Sequence, residues 1–203
     1  LKNVHGPVSR LIQTEDDYTV AIEIALGGAL QQIVVSSEQD GKAAIQYLKR
    51  SGSGRATFLP LSSVEGRRLS ENGLEKCRGF VGLASDLVKS DQRYRAIVEN
   101  LLGRTVIVQD LDAAIAMAGR YNNRFKIVTL DGQVMNPGGS MTGGSVSRDA
   151  GILSRANELE KLVANEKSLS EKLAGLEVQF QEAKRAADQV EFQLNTAKEQ
   201  MAE

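Results

Sequence analysis

The chain has 203 residues, 41% of them hydrophobic and 25% charged, with a formal net charge of −1. That composition suits one or two compact soluble units, and its charge balance does not announce a nucleic-acid binder. No stretch approaches the ~18 uninterrupted apolar residues of a membrane helix, and Leu1-Lys2-Asn3-Val4-His5-Gly6 has no charged-then-apolar secretion signal.

The charge is uneven along the chain. Residues 1–152 carry 18 basic and 16 acidic side chains, whereas residues 153–203 carry 7 and 10. A single cysteine, Cys77, allows no internal disulfide, which fits a reducing cytosolic setting. Cys77 is expected as a small hydrophobe in or near a core. The missing initiator Met and the abrupt Met201-Ala202-Glu203 ending lead us to expect a piece of a longer protein.

In chain order, the first predicted element is a helix over residues 18–26. Tyr18, Ile22 and Leu26 share one face, and Gly27 follows as a stop. The β-branched run Ile33-Val34-Val35 predicts a buried strand. Residues 40–49, with Ala43, Ala44, Ile45 and Leu48, predict an amphipathic helix, and residues 55–61 a second strand. Residues 62–76 are polar and contain glycine, which predicts a surface connection.

The same series then recurs. Tyr94, Val98, Leu102 and Gly103 keep the offsets of Tyr18, Ile22, Leu26 and Gly27. Val106-Ile107-Val108 predicts a strand, residues 110–120 a helix capped by Asp110 or Asp112, and residues 124–130 another strand. Helix, strand, helix, strand thus occurs twice, which predicts a duplicated unit. Asp131-Gly132 between apolar residues predicts a hairpin turn.

After that hairpin comes Asn136-Pro137-Gly138-Gly139-Ser140-Met141-Thr142-Gly143-Gly144-Ser145, with four glycines in two pairs. Its second half has the glycine spacing of a phosphate-binding P-loop. Gly144 stands where that loop requires lysine, so the charge that grips terminal phosphates is missing. Gly52-Ser53-Gly54-Arg55-Ala56-Thr57 begins like a dinucleotide fingerprint, but Thr57 replaces its third glycine and a helix precedes it. A glycine-lined surface next to a long helix points to a place where chains meet.

From Leu159 a heptad frame runs through Leu162, Glu166, Leu169, Leu173, Leu176, Phe180, Ala183, Ala187, Val190, Leu194, Ala197 and Met201. Steps alternating three and four predict a left-handed coiled coil. Residues 1–152 contain no second such segment, so the partner helix must come from another chain or from sequence before residue 1. His5 is the only histidine and Cys77 has no nearby cysteine, which excludes a histidine metal cluster and a CxxC site. No enzyme constellation emerges, and no cofactor or metal site is expected.

These residues resemble the hinge domain of the structural maintenance of chromosomes family, in particular its bacterial members. The resemblance is carried by His5-Gly6-Pro7-Val8, by Ala25-Leu26-Gly27-Gly28-Ala29-Leu30-Gln31 before Ile33-Val34-Val35, and by Gly54-Arg55-Ala56-Thr57-Phe58-Leu59-Pro60-Leu61. It continues through Gly82-Leu83-Ala84-Ser85-Asp86-Leu87-Val88, Val128-Thr129-Leu130-Asp131-Gly132 and the paired glycines, and covers about residues 4–145 in order.

The resemblance implies a mixed α/β fold of two pseudo-repeated subdomains, in residues 1–79 and 80–152, followed by a coiled-coil arm segment in 153–203. It also implies a ring-like homodimer whose contact lies at Gly138, Gly139, Ser140, Met141, Thr142, Gly143 and Gly144. Glycines lack Cβ atoms, so two backbones can approach closely there. The family's complete proteins carry an ATPase head elsewhere and entrap DNA to organise and segregate chromosomes. The setting expected is therefore cytoplasmic and nucleoid-associated, with an antiparallel helix from before residue 1 covering the arm. The alternative is a stand-alone, weak DNA-binding module, with Lys2, Arg10, Arg67, Arg68, Lys76 and Arg78 as candidate contacts.

Overall fold

Alternating β-branched runs and amphipathic stretches fold into two successive copies of one element order. The computed structural model describes residues 3–145 and 151–202, so Lys2, a candidate DNA contact, lies outside the described residues. The first copy comprises β1 (Val4–Pro7), β2 (Ile12–Thr14), α1 (Asp16–Leu26), β3 (Ile33–Val35), α2 (Glu38–Ser51) and β4 (Phe58–Pro60). The second comprises β5 (Phe80–Leu83), β6 (Val88–Ser90), α3 (Arg95–Leu102), β7 (Thr105–Val108), α4 (Leu111–Arg120) and β8 (Lys126–Thr129). Beyond it come β9 (Val134–Met135), β10 (Met141–Thr142) and α5 (Ile152–Ala202).

The copies build matching sheets. One has the order β1-β3-β4, with β1 antiparallel and β4 parallel to β3. The other has the order β10-β9-β8-β7-β5, with β5 antiparallel and β8 parallel to β7. Both first strands are irregular at the same place, between Val4 and Gly6 in β1 and between Phe80 and Gly82 in β5. Only the second sheet continues, through the β9–β10 hairpin.

A small two-stranded sheet joins the copies. β2 pairs antiparallel with its own counterpart β6, with Ile12 opposite Ser90, Gln13 opposite Lys89 and Thr14 opposite Val88. The first residue of each strand faces the last of the other, so the pairing has a local two-fold centre at Gln13–Lys89. The larger core cluster is also shared. Ile22, Leu26 and Val34 of the first copy pack with Ile97, Leu102 and Ile107 of the second.

Local signals explain the helix ends. Asp110 caps α4 by accepting from the Ala113 N–H at 2.8 Å, and Ser37 caps α2 by accepting from the Asp40 N–H. α1 and α2 stop at Gly27 and Gly52, both at positive φ, 50° and 64°, with Gly52 in the left-handed helical conformation. Gly103 has the same offset from Tyr94 as Gly27 from Tyr18, but its φ is −66°. Its need is steric, since a Cβ there would lie 2.1 Å from the Arg67 carbonyl oxygen.

The stretch 62–76, expected as a surface connection, sends Leu69 and Leu74 into the second core cluster with Met117, Phe125 and Ile127. Its polar neighbours remain largely exposed, which is why its composition reads as a loop. Cys77 is partly buried against this cluster, as expected.

Lys126 of β8 ties the copies together at the end of α1. Its Nζ donates to the carbonyls of Ala25 at 2.9 Å and Ile24 at 3.4 Å, where the helix leaves acceptors unsatisfied and its dipole favours a cation. Burial lowers the ammonium's affinity for its proton. The folded chain therefore releases this proton before the unfolded chain does, and the group's contribution to stability grows as pH rises toward the ordinary lysine range. Lys126→Met should cost about 1–2 kcal/mol at neutral pH by thermal or urea unfolding, because two carbonyls lose their donor.

The chain divides into two compact units, residues 1–157 and 158–203. The start of α5 belongs to the first. Leu153 is buried, its N–H donates to the Glu23 carboxylate, and Asn157 Nδ2 donates to the Thr14 carbonyl at 3.0 Å. The second unit is one helix. From Leu159 to Met201 the large apolar side chains of the heptad frame are more than half exposed.

Candidate functional site

The paired glycines form and follow a hairpin whose second strand, β10, is the outer edge of the five-stranded sheet. The Asn136 N–H donates to the Ser140 carbonyl at 2.8 Å and the Gly139 N–H to the Asn136 carbonyl at 3.0 Å, closing the tip. Gly138 and Gly139 have φ of 85° and 94°, conformations that favour glycine. The tip rests on a second turn, where Asn122 and Asn123 are themselves left-handed at φ 53° and 52°. There the Gly138 N–H donates to the Asn123 carbonyl at 2.9 Å.

The second pair is held differently. Gln133 accepts from the Gly144 N–H at 2.9 Å and donates to the Gly144 carbonyl at 3.1 Å, so one side-chain amide occupies both backbone groups. A Cβ on Gly143 would lie 2.2 Å from Gln133 Oε1 and displace that amide. Gly144 has φ 147°. Conformation thus accounts for Gly138, Gly139 and Gly144, and the Gln133 amide accounts for Gly143, all within one chain.

Asn123 and Gln133 escape sequence reasoning. Asn123 lies in what reads as a helix-to-strand loop, although an Asn-Asn pair is itself a signal for left-handed backbone. Gln133 reads as a turn residue, and nothing local places it against Gly144. The turn between β8 and β9 occurs where Asp131-Gly132 predicts it. Of those two residues only Gly132 takes positive φ, and Thr129 Oγ1 closes the turn by accepting from the Gln133 N–H at 2.8 Å.

The edge itself is free for pairing. Met141 faces Met135, and the next pair toward the tip, Asn136–Ser140, is hydrogen-bonded. In antiparallel alternation Met141 therefore turns its N–H and C=O away from β9, toward the open edge. Its side chain is 54% exposed.

The first sheet has an edge of its own. Thr57 accepts from the Ile33 N–H and the Leu61 N–H donates to Val35, so Phe58 and Pro60 of β4 face outward. Pro60 has no N–H, and its carbonyl accepts from Val64 at 3.0 Å. Phe58 is thus the one residue of β4 with both backbone groups turned to that edge.

The candidate DNA contacts are scattered over different elements. Arg68 makes a two-point ion pair with Asp86, at 2.6 and 2.8 Å, and that carboxylate raises the guanidinium's affinity for its proton. Arg67, Lys76 and Arg78 are exposed in the segment joining the copies, and Arg10 is exposed after β1. Among the described residues no group of three or more histidine, cysteine, aspartate or glutamate side chains could hold a metal ion, and no helix is long and apolar enough to cross a membrane.

Comparison with known proteins places this arrangement. Residues 1–118 match the family model described as the SMC proteins flexible hinge domain. The chromosome partition protein Smc of Bacillus subtilis is 45% identical over 181 residues, covering 87% of this chain and 15% of that protein. The protein of the same name from Lactiplantibacillus plantarum is 38% identical over 204 residues, covering 98% of this chain and 17% of its own length. The chain thus spans about a sixth of these relatives.

Among solved structures, an asymmetric dimer of the Geobacillus stearothermophilus SMC hinge domain matches with TM-score 0.79 and 47% identity, over 86% of this chain and 71% of that one. The Pyrococcus furiosus Smc hinge domain with an extended coiled coil matches with TM-score 0.62 and 27% identity, over 96% and 70%. The mixed α/β fold with its long C-terminal helix is that of these hinges, and the chain belongs to the SMC hinge domain family.

Proposed function

We propose that this chain is the homodimerisation hinge of a chromosome-partitioning SMC protein, joining two protomers into a complex that entraps DNA on the nucleoid. The observation that carries the proposal is the open edge of β10, with the outward backbone of Met141 between two glycine pairs. Each copy offers one such edge and one β4 edge at Phe58. Two reciprocal β10–β4 contacts would close a two-fold ring, since a strand added to an open edge gains main-chain hydrogen bonds. The Geobacillus hinge, which forms an asymmetric dimer, supports dimerisation through the hinge. The exposed heptad stripe of α5 is assigned to an antiparallel helix from sequence before residue 1, and DNA is assigned as a weak, salt-sensitive ligand.

Sedimentation equilibrium tests the assembly. The chain should be a dimer at micromolar concentration, and so should a version ending at Asn157, which keeps Leu153 and Asn157 in place. A monomeric shortened chain would assign self-association to the arm instead of the hinge.

A further inference from the structure

Both copies leave an isoleucine in the open at the same place. Ala44 of α2 and Ala114 of α4 are buried against their sheets, and the next residues, Ile45 and Ile115, are 54% and 48% exposed. Gly41, one turn before Ile45, faces β4, since a Cβ on it would lie 3.7 Å from the Phe58 Cβ. Ile45 therefore sits on the flank of α2 toward the open edge of β4. On α4, Ala113 lies beside Gly79, just before β5, where an added Cβ would be 2.6 Å from it. Leu111 and Ile115 occupy the other flank, toward β9 and β10, and Leu111 is also exposed.

The residues at the two edges determine which faces meet. Phe58 points to the side of its sheet that α2 covers. Met135 packs with Ala114 and Met117 of α4, and Met141 is opposite Met135, so Met141 points to the α4 side. Opposite residues of an antiparallel pair share a face, so Phe58 against the partner's Met141 puts α2 and the partner's α4 on one side of the joined sheet. Right-handed β3–α2–β4 and β7–α4–β8 crossovers give the same result only if β4 and the partner's β10 run antiparallel. The two helices then run antiparallel too. β4 and the partner's β8 are three strand spacings of ~4.8 Å apart, so long side chains meet across the joint.

We propose that the flank of α2 at Ile45 and Lys49 docks on α4 of a second copy, with Ile45 against the partner's Ile115 and Lys49 against the partner's Asp112. This rests on the β10–β4 reading and adds a second layer of contact above that joint. Charge complementarity selects the second copy. When the isoleucines face each other on antiparallel helices, Lys49, one turn beyond Ile45, comes beside the partner's Asp112. Among the described residues neither Lys49 nor Asp112 is in an ion pair. The carboxylates that begin α2 lie at its far end, where Glu38 accepts from Ser62 and Asp40 accepts from Asn3 and Ser37.

A charge exchange in the full chain, read by sedimentation equilibrium at low salt, tests the contact. Lys49→Glu and Asp112→Lys should each weaken the dimer by about 3- to 30-fold, because both joints lose an attraction and gain a repulsion. Combining them should restore the affinity to within about threefold of the parent. Ile45→Asp should weaken the dimer by at least about 10-fold, since its charge would face the partner's Ile115. Gln46→Glu, on the solvent side of α2, should have no effect. All of these side chains are exposed, so circular dichroism should show the parent's secondary structure.

If the single variants dimerised like the parent, or the combination were no tighter than either single variant, the α2–α4 contact would fall. The β10–β4 reading would survive that result provided Met141→Pro still abolished the dimer. A monomeric parent, or a Met141→Pro variant that dimerised fully, would remove the β10–β4 joint and this contact with it.

Discussion

A Met141→Pro variant should fold normally and fail to dimerise. Met141 lies between hydrogen-bonded pairs of the β9–β10 hairpin, so its N–H is not used within the chain and proline removes only the outward donor. Proline is tolerated on edge strands for this reason and blocks further pairing there. The expected loss in dimer affinity is at least about 100-fold, or roughly 2.7 kcal/mol, read by sedimentation across a concentration series. Circular dichroism should show the parent's secondary structure. Bulky residues at Gly143 or Gly144 would be a poorer test, because they would first dislodge Gln133 or strain a φ of 147°. A dimeric Met141→Pro variant would move the interface away from β10.

The largest stability effect should come from Gly103→Ala. The added Cβ would meet the Arg67 carbonyl oxygen at 2.1 Å and the Glu99 carbonyl oxygen at 2.4 Å, both backbone atoms. Relief would pull the Arg67–Leu69 strip off the end of α3, breaking the 2.8 Å bond from the Leu69 N–H to the Gly103 carbonyl. Leu69 and Leu102 are buried on either side of this crossing, so the cost should reach about 4 kcal/mol. Gly119→Ala provides the opposite sign. That glycine lies within α4 with nothing inside 4 Å of a Cβ, and alanine there should stabilise by roughly 0.5–1 kcal/mol. Urea midpoints for the two variants should therefore move in opposite directions.

The helices α1 to α4 and strands β3, β4, β7 and β8 are legible because four-residue spacing and β-branched runs are local signals. β1 is not, because Gly6 and Pro7 make an edge strand look like a turn. β2 and β6 are three residues each and are strands only because they find one another across the chain. The candidate site divides along the same line. The glycines announce an unusual backbone, but Asn123 and Gln133, which hold it, depend on tertiary contacts. Arg68 looks like its exposed neighbours until Asp86, eighteen residues away in sequence, turns out to hold it.

The β2–β6 pairing bears on how such a chain could have originated. Its centre at Gln13–Lys89 gives each copy the same half of a symmetric contact, and the core behind it draws on both copies. One copy alone would leave β2 unpaired and Ile22, Leu26 and Val34 without Ile97, Leu102 and Ile107. A half-length ancestor would have had to close that face against a second molecule of itself. Gene fusion would then have turned an intermolecular contact into an internal one, leaving the outer sheet edges as the remaining surfaces for assembly.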